Sequence, residues 1–172
     1  VGSALRTMVG GVAWGEVDVM VVDMPPGTGD AHITMAQTVG FTGALIVSTP
    51  QDIALMDARR AVAMFRKVSV PILGIVENMS VFSCPSCGHE TPIFGRDGVA
   101  AAAAHLAVPA LGQLPLELGI RAAGDAGRPV VVAEPRSAAA GRIVEIAGRV
   151  LERLEEEAEL AKAWEVEIVT EK

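Results

Sequence analysis

The chain of 172 residues contains no tyrosine, and its four phenylalanines and two tryptophans make up only 3% of it. A core of packed rings is therefore excluded. With 51% hydrophobic residues the interior must be aliphatic and alanine-rich, and there is enough of it for one globular domain. Basic residues are scarce as well: 14 Lys and Arg against 21 Asp and Glu leave a net charge of −7. A binder of phosphate backbones shows a basic face, so no nucleic-acid partner is expected. No apolar run is long enough to span a bilayer, and the richest, Val99 to Leu111, is broken by His105 and Pro109; no membrane partner is expected either. Cysteine is limited to Cys84 and Cys87, too close together to staple a fold. They point to metal or redox use in a reducing compartment, and the expected location is cytoplasmic. The chain opens on Val1 rather than methionine, so no targeting segment can be assigned to it.

Periodicity predicts alternating helices and strands. A helical stretch near Ala4 to Ala13 leads into a strand from Asp18 to Met24, a helix from Ala31 to Thr38 and a strand from Ala44 to Ser48. Asp52 to Val68 carries Ile53, Met56, Val62 and Phe65 at helical spacing, with Thr49 expected as N-cap, Pro50 at the first helical position and Asp52 as capping-box acid. Pro71 to Val76 is a third strand, Glu77 to Gly98 a long excursion, Val99 to Ala107 an alanine-rich helix, and Leu111 to Leu114 a fourth strand. Ser137 to Ala163 is a long helix with Ile143, Ile146, Val150 and Leu154 on one side. Strands apolar on both faces, alternating with helices, predict an α/β fold: a parallel sheet with helices on both faces.

Two constellations carry chemistry. The run Val19-Met20-Val21-Val22 ends in Asp23-Met24-Pro25-Pro26-Gly27-Thr28-Gly29-Asp30. A buried strand ending in aspartate delivers a carboxylate to the carboxyl edge of a parallel sheet, where such folds bind ligands. Gly27 and Gly29 let the backbone approach a phosphate, and Pro25-Pro26 stiffens the path to them. The plainer alternative is that Asp23 ends a strand and Asp30 caps the next helix.

The second constellation is Ser83-Cys84-Pro85-Ser86-Cys87-Gly88-His89. Two thiolates separated by two residues can serve one soft metal centre, but they supply two ligands where zinc sites and iron–sulfur clusters want four. A thioredoxin-like redox pair fits poorly, because this one lies in a long loop rather than where a strand enters a helix. A zinc knuckle within one chain lacks a partner pair, since His32, His89 and His105 do not fall at zinc-finger spacing. Two chains donating Cys84 and Cys87 across a two-fold axis complete a four-thiolate site without further residues, and this reading is favoured.

The octapeptide resembles the DxPPGTGD signature of the Mrp/ApbC-type ATPases, carriers or scaffolds for iron–sulfur clusters in the MinD-like branch of P-loop proteins. Gly74-Ile75-Val76-Glu77-Asn78-Met79-Ser80, the Cys84 to Gly88 block, Ile93-Phe94-Gly95, Gly112-Gln113-Leu114-Pro115, and Ile120-Arg121 with Gly124-Asp125 and Gly127 are similar to the family's later blocks. The similarity runs from about Leu5 to Val150. It implies a P-loop NTPase-like fold and a cluster, 4Fe-4S by family habit, bridging the cysteines of a homodimer. It implies ATP and Mg²⁺ as well, with Asp23 as the catalytic carboxylate that supports Mg²⁺ through water, the Gly27 N–H near the γ-phosphate, and Asn78 beside adenine. Asn78 could equally end its strand through local hydrogen bonds. Cluster donors and iron–sulfur apoproteins are the implied partners.

One departure is large. No G-x-x-x-x-G-K-[ST] or lysine-bearing glycine loop precedes Asp23, so the phosphate cradle is missing from these residues. The expectation is the carboxyl-terminal portion of a longer ATPase, without the amino-terminal strand and P-loop, and inactive in hydrolysis by itself. Residues 1–150 are expected to form the partial NTPase-like domain, with the CxxC loop at 77–98. Residues 151–172 are expected to form an acidic helix end and tail, with eight glutamates against three basic residues from Glu152 onward. Trp164, Val166 and Ile168 alternate with glutamates there, a pattern for a short edge strand or a docking peptide. Two other classes remain open: a zinc-bridged dimerisation module without ATPase activity, and a MinD/ParA-like positioning ATPase, which the acidic balance disfavours.

Overall fold

Residues 7–24, 27 and 29–169 are described by the structure, a computed structural model. In chain order its elements are α1 (Asp30–Val39), β1 (Ala44–Ser48), α2 (Asp52–Lys67), β2 (Ile72–Glu77), β3 (Phe82–Ser83) and β4 (Glu90–Thr91). Then come α3 (Gly98–Leu106), β5 (Ala110–Gln113), α4 (Leu118–Asp125), α5 (Val130–Ala133) and α6 (Ala138–Val169). β1, β2 and β5 form a parallel sheet in the order β1-β2-β5, with Ile46 opposite Ile75 and Val76 opposite Gly112.

β2 is central and its residues from Leu73 to Glu77 are buried, as a strand covered on both faces must be. Ile75 faces one layer, where Ala44 and Ile46 of β1 meet Leu55, Val62 and Phe65 of α2 and Val99 and Ala102 of α3. Val76 faces the other, packing with Leu111 and with Ile146 of α6, around which Leu114 and Val150 close. The predicted parallel sheet with helices on both faces is therefore present. Arg149 ties α6 to the sheet by donating from Nη1 to the Leu111 carbonyl at 2.6 Å and pairing with Glu145.

The predicted strand from Asp18 to Met24 does not form. Residues 19–24 have no ladder partner, and Val19, Met20 and Val21 are exposed, Val21 at 89%. An apolar run gains from the extended conformation only where a neighbour takes up its backbone hydrogen bonds, and none of β1, β2 or β5 does so. Met24 alone of the run packs against the core. β1 accordingly leaves its outer face open: Leu45 is 40% and Val47 57% exposed.

Other departures have local causes. The first helical stretch ends at the Gly10-Gly11 pair rather than at Ala13, and its expected residues before Thr7 lie outside the described set. α2 begins at Asp52 with Gln51 as N-cap and without a side-chain cap bond, because the Thr49 hydroxyl donates to Gln51 Oε1 at 3.1 Å. The alternating tail is helical in its backbone through Val169 rather than a strand, since the preceding Glu, Ala, Leu and Lys residues propagate a helix at little cost. Sequence reading also missed α4 and α5. Among the described residues no helix is long and apolar enough to cross a membrane.

The chain returns from the 78–97 excursion at Gly98, where a Cβ would stand 2.5 Å from the Pro50 carbonyl oxygen. That oxygen belongs to the backbone entering α2 and cannot step aside cheaply. Gly98→Ala is expected to cost about 2 kcal/mol of stability, read as a lower urea midpoint at unchanged m-value; an unchanged midpoint would show the contact to be loose.

Candidate functional site

β3 and β4 pair antiparallel, Phe82 with Thr91 and Ser83 with Glu90, so the CxxC segment is the tip of a short hairpin rather than an open loop. At the tip the Cys84 N–H donates to the His89 carbonyl at 3.0 Å and the Gly88 N–H donates to the Cys84 carbonyl at 2.8 Å. Gly88 takes φ +70°, a left-handed turn that a side chain would resist. The Cys84 thiol is held below its ordinary pKa by the Ser86 N–H, then by the Cys87 N–H and the Cys87 thiol, all donating to its sulfur. Cys84 is half-buried and Cys87 exposed. Two adjacent sulfurs at an outward tip, one of them predisposed to ionise, suit shared coordination of a soft metal centre. Among the described residues no third His, Cys, Asp or Glu joins them to make a metal-binding group.

The hairpin stands on the carboxyl edge of the sheet. The Ser80 N–H and hydroxyl both donate to the Leu114 carbonyl, at 3.0 and 3.1 Å, and the Leu116 N–H donates to the Val81 carbonyl at 2.7 Å. Glu90 reaches Arg142 of α6 at 3.9 Å. Between hairpin and helix lies a cleft of about 360 Å³ lined in part by Ser80, Glu90, Gln113, Arg142 and Arg149.

Asn78 follows β2 directly, and its N–H extends the ladder to the Ser48 carbonyl at 2.8 Å. Its Oδ1 accepts from the Met79 N–H at 3.0 Å, the local bond of a strand terminator. Gly27 is exposed with φ +107°. Asp23 is exposed on the unladdered segment and is not delivered to the sheet edge, in contrast to the sequence-based expectation. The structure thus brings Cys84 and Cys87 together and sets Asn78 at the sheet edge, but it does not assemble Asp23 with them. No lysine-bearing glycine loop occurs in the sequence, and Asp23 lies outside the sheet.

Sequence reading quoted Glu77 within a motif but gave it no role. It is 2% exposed at the end of β2, with Oε2 accepting from the Val99 N–H and Oε1 from Gln113 Nε2, each at 3.3 Å. Burial pushes its carboxyl above the ordinary value of 4.5; the Val99 N–H opposes the rise and the Asp97 charge adds to it. No signal in the sequence sets it apart, since its burial comes from α3 and β5 closing over the end of β2.

A family model described as the NUBPL iron-transfer P-loop NTPase, of the ParA group, matches residues 1–151. The mouse iron-sulfur cluster transfer protein NUBPL is 53% identical over 152 residues, which cover 88% of this chain and 48% of that protein. The Escherichia coli iron-sulfur cluster carrier protein is 47% identical over 151 residues, covering 88% of this chain and 41% of that one. The chain spans about half the length of the curated relatives it matches. Among solved structures, an Archaeoglobus fulgidus nucleotide-binding protein in complex with ADP superposes with a TM-score of 0.69 at 36% identity, over 79% of this chain and 55% of that one. The Pyrococcus furiosus cell division ATPase MinD, at 23% identity and TM-score 0.67 over 88% of this chain and 59% of that one, shares the fold. With its sheet, its cysteine block and this match over residues 1–151, the chain belongs to the NUBPL iron-transfer P-loop NTPase family, of the Mrp/ApbC type.

Proposed function

We propose that this chain is the cluster-bearing part of an iron–sulfur cluster carrier. An iron–sulfur cluster is its cargo, held by Cys84 and Cys87 and, across a two-fold axis, by the same pair from a second copy. The observation that supports this most directly is the hairpin tip, which presents two adjacent thiols outward with Cys84 biased toward the thiolate. Two thiolates per chain make four in a symmetric homodimer, the number a 4Fe-4S cluster takes. Exposure of the tip suits handover, because an incoming thiolate from an apoprotein must reach the cluster without unfolding the carrier. Cluster donors and acceptor apoproteins are the partners, in a reducing compartment such as the cytoplasm.

ATP and Mg²⁺ enter this proposal only for the longer architecture of the relatives. There, a laddered strand over residues 18–24 would set Asp23 toward Mg²⁺ and the Gly27 N–H toward the γ-phosphate, with Asn78, after β2, beside adenine. The nucleotide would then bias how firmly the dimer grips its cargo. Residues 1–150 form the NTPase-like portion in this reading, and residues 151–172 make up its acidic carboxyl-terminal segment.

The test is anaerobic reconstitution with iron and sulfide, reading the visible spectrum, bound iron and solution mass on one sample. A broad thiolate-to-iron band with about two irons per chain and a dimeric mass is the expected result. Colourless protein carrying zinc in a dimer would move the function to a zinc-bridged module, and a colourless monomer with free thiols would overturn the carrier reading.

A further inference from the structure

The cysteine excursion leaves the sheet after Glu77 and comes back to it at Gly98, and its two limbs are fastened differently. The outgoing limb is held by backbone bonds, Ser80 to Leu114 and Leu116 to Val81. The returning limb turns at Asp97, a non-glycine residue at φ +57°, and enters α3, whose Val99 N–H donates to the Glu77 carboxylate. The other oxygen of that carboxylate takes the Gln113 amide at the end of β5. Glu77 also carries the ladder through its backbone, its carbonyl accepting the Leu114 N–H at 2.7 Å. One side chain therefore bonds both the element that ends the excursion and the strand whose continuation anchors its beginning.

We infer that Glu77 is the positioning residue of the cysteine hairpin: its carboxylate closes the base of the 78–98 excursion and fixes how the Cys84–Cys87 tip stands on the strand end that carries Asn78. The assignment rests on the proposed role of the two cysteines. A carboxylate buried in an aliphatic core is costly to keep, and a well-packed apolar residue would serve stability better, so its presence calls for a positional reason. It lies one residue before Asn78 and at the root of the hairpin, between the proposed nucleotide edge and the proposed cargo site. Both partners are donors, which matches a carboxylate accepting at each oxygen.

The experiment compares Glu77→Met with Glu77→Gln in this 172-residue chain by amide hydrogen exchange. Methionine fills the space but accepts neither bond, whereas glutamine retains both if the Gln113 amide turns over. Glu77→Met should speed exchange of the Cys84 and Gly88 amides by about tenfold, the scale of a lost hydrogen bond to a charged group. The Ile75 amide, bonded to Pro109 in the sheet, should stay within about twofold of the parent on the same scale. Glu77→Gln should keep all three near the parent. The assignment is overturned if Glu77→Met leaves the hairpin amides unchanged, if Ile75 loses protection equally, or if Glu77→Gln behaves like Glu77→Met. Should Glu77→Met fail to fold, Gln113→Met removes only the Oε1 bond and must still raise exchange at the hairpin selectively. A parallel titration with cobalt(II), a thiolate probe, separates this inference from the one beneath it. A parent chain that binds no cobalt through its thiols refutes the cysteine reading, while the exchange comparison still decides the role of Glu77.

Discussion

Replacing Cys84 and Cys87 together with serine is expected to bring iron and sulfide retained after anaerobic reconstitution down to background, with the helical signal of the protein unchanged. The two halves of that expectation have separate physical grounds. Serine offers a hard, neutral oxygen in place of a soft thiolate, and no other His, Cys, Asp or Glu stands ready with them among the described residues. The turn itself does not depend on sulfur. Its bonds run from the Cys84 N–H to His89 and from the Gly88 N–H to Cys84, backbone to backbone, and Gly88 supplies the left-handed conformation. The single variants should differ in kind from the double. Losing Cys87 removes a ligand and also the thiol that donates to the Cys84 sulfur, while the backbone donors of Ser86 and Cys87 stay in place. Losing Cys84 removes the thiol that ionises more readily, and ligation requires the thiolate. Either single change leaves two thiolates in a symmetric dimer and should lower cluster retention by at least about tenfold, the scale of a lost ligand or its support. Iron and sulfide held by the double variant at the parent level would mean that the cargo sits elsewhere.

How much of this was legible beforehand depended on whether a residue's role is set locally. β1 and β2 were read within a residue of their observed ends, because a continuous apolar run bounded by polar or turn residues describes a buried strand wherever it lies. The cysteine pair was legible as a pair, since its spacing alone sets both sulfurs on one turn. The segment from Asp18 to Met24 carries an apolar run much as β1 and β2 do and yet forms no strand, because a ladder is a property of two segments and composition reports on one. The placement of Asp23 failed with it. Thr49 and Pro50 carried a plausible cap signature, but the hydroxyl found Gln51 first. Glu77 went unassigned for the opposite reason: an acidic residue after an apolar run normally marks the point where a strand reaches water, and here α3 and β5 close over it.

The largest effect on stability is expected from Ile75→Ala, at about 3 kcal/mol and a fall of roughly 10 °C in the thermal midpoint. Ile75 is 0% exposed on the central strand and lies in the layer formed with Leu55, Val62, Phe65 and Val99. Its truncation removes apolar contact from two helices at once, and the strand on either side cannot collapse inward without breaking the register of Ile46 with Ile75. The neighbouring strand provides the control. Leu45→Ala removes a residue of similar size, but its side chain is 40% exposed on the open face of β1, so a large part of its transfer free energy was never gained; a loss of about 1 kcal/mol is expected. The two substitutions sit one sheet position apart in their parallel partners, Leu45 beside Gly74 and Ile46 beside Ile75, so the contrast reports which face of the sheet is covered. Equal losses at Ile75 and Leu45 in urea denaturation would mean that the outer face of β1 is packed in solution. In that event the open face of β1 would have to be covered, and the exposed run from Val19 to Val21 is an apolar segment able to supply the cover.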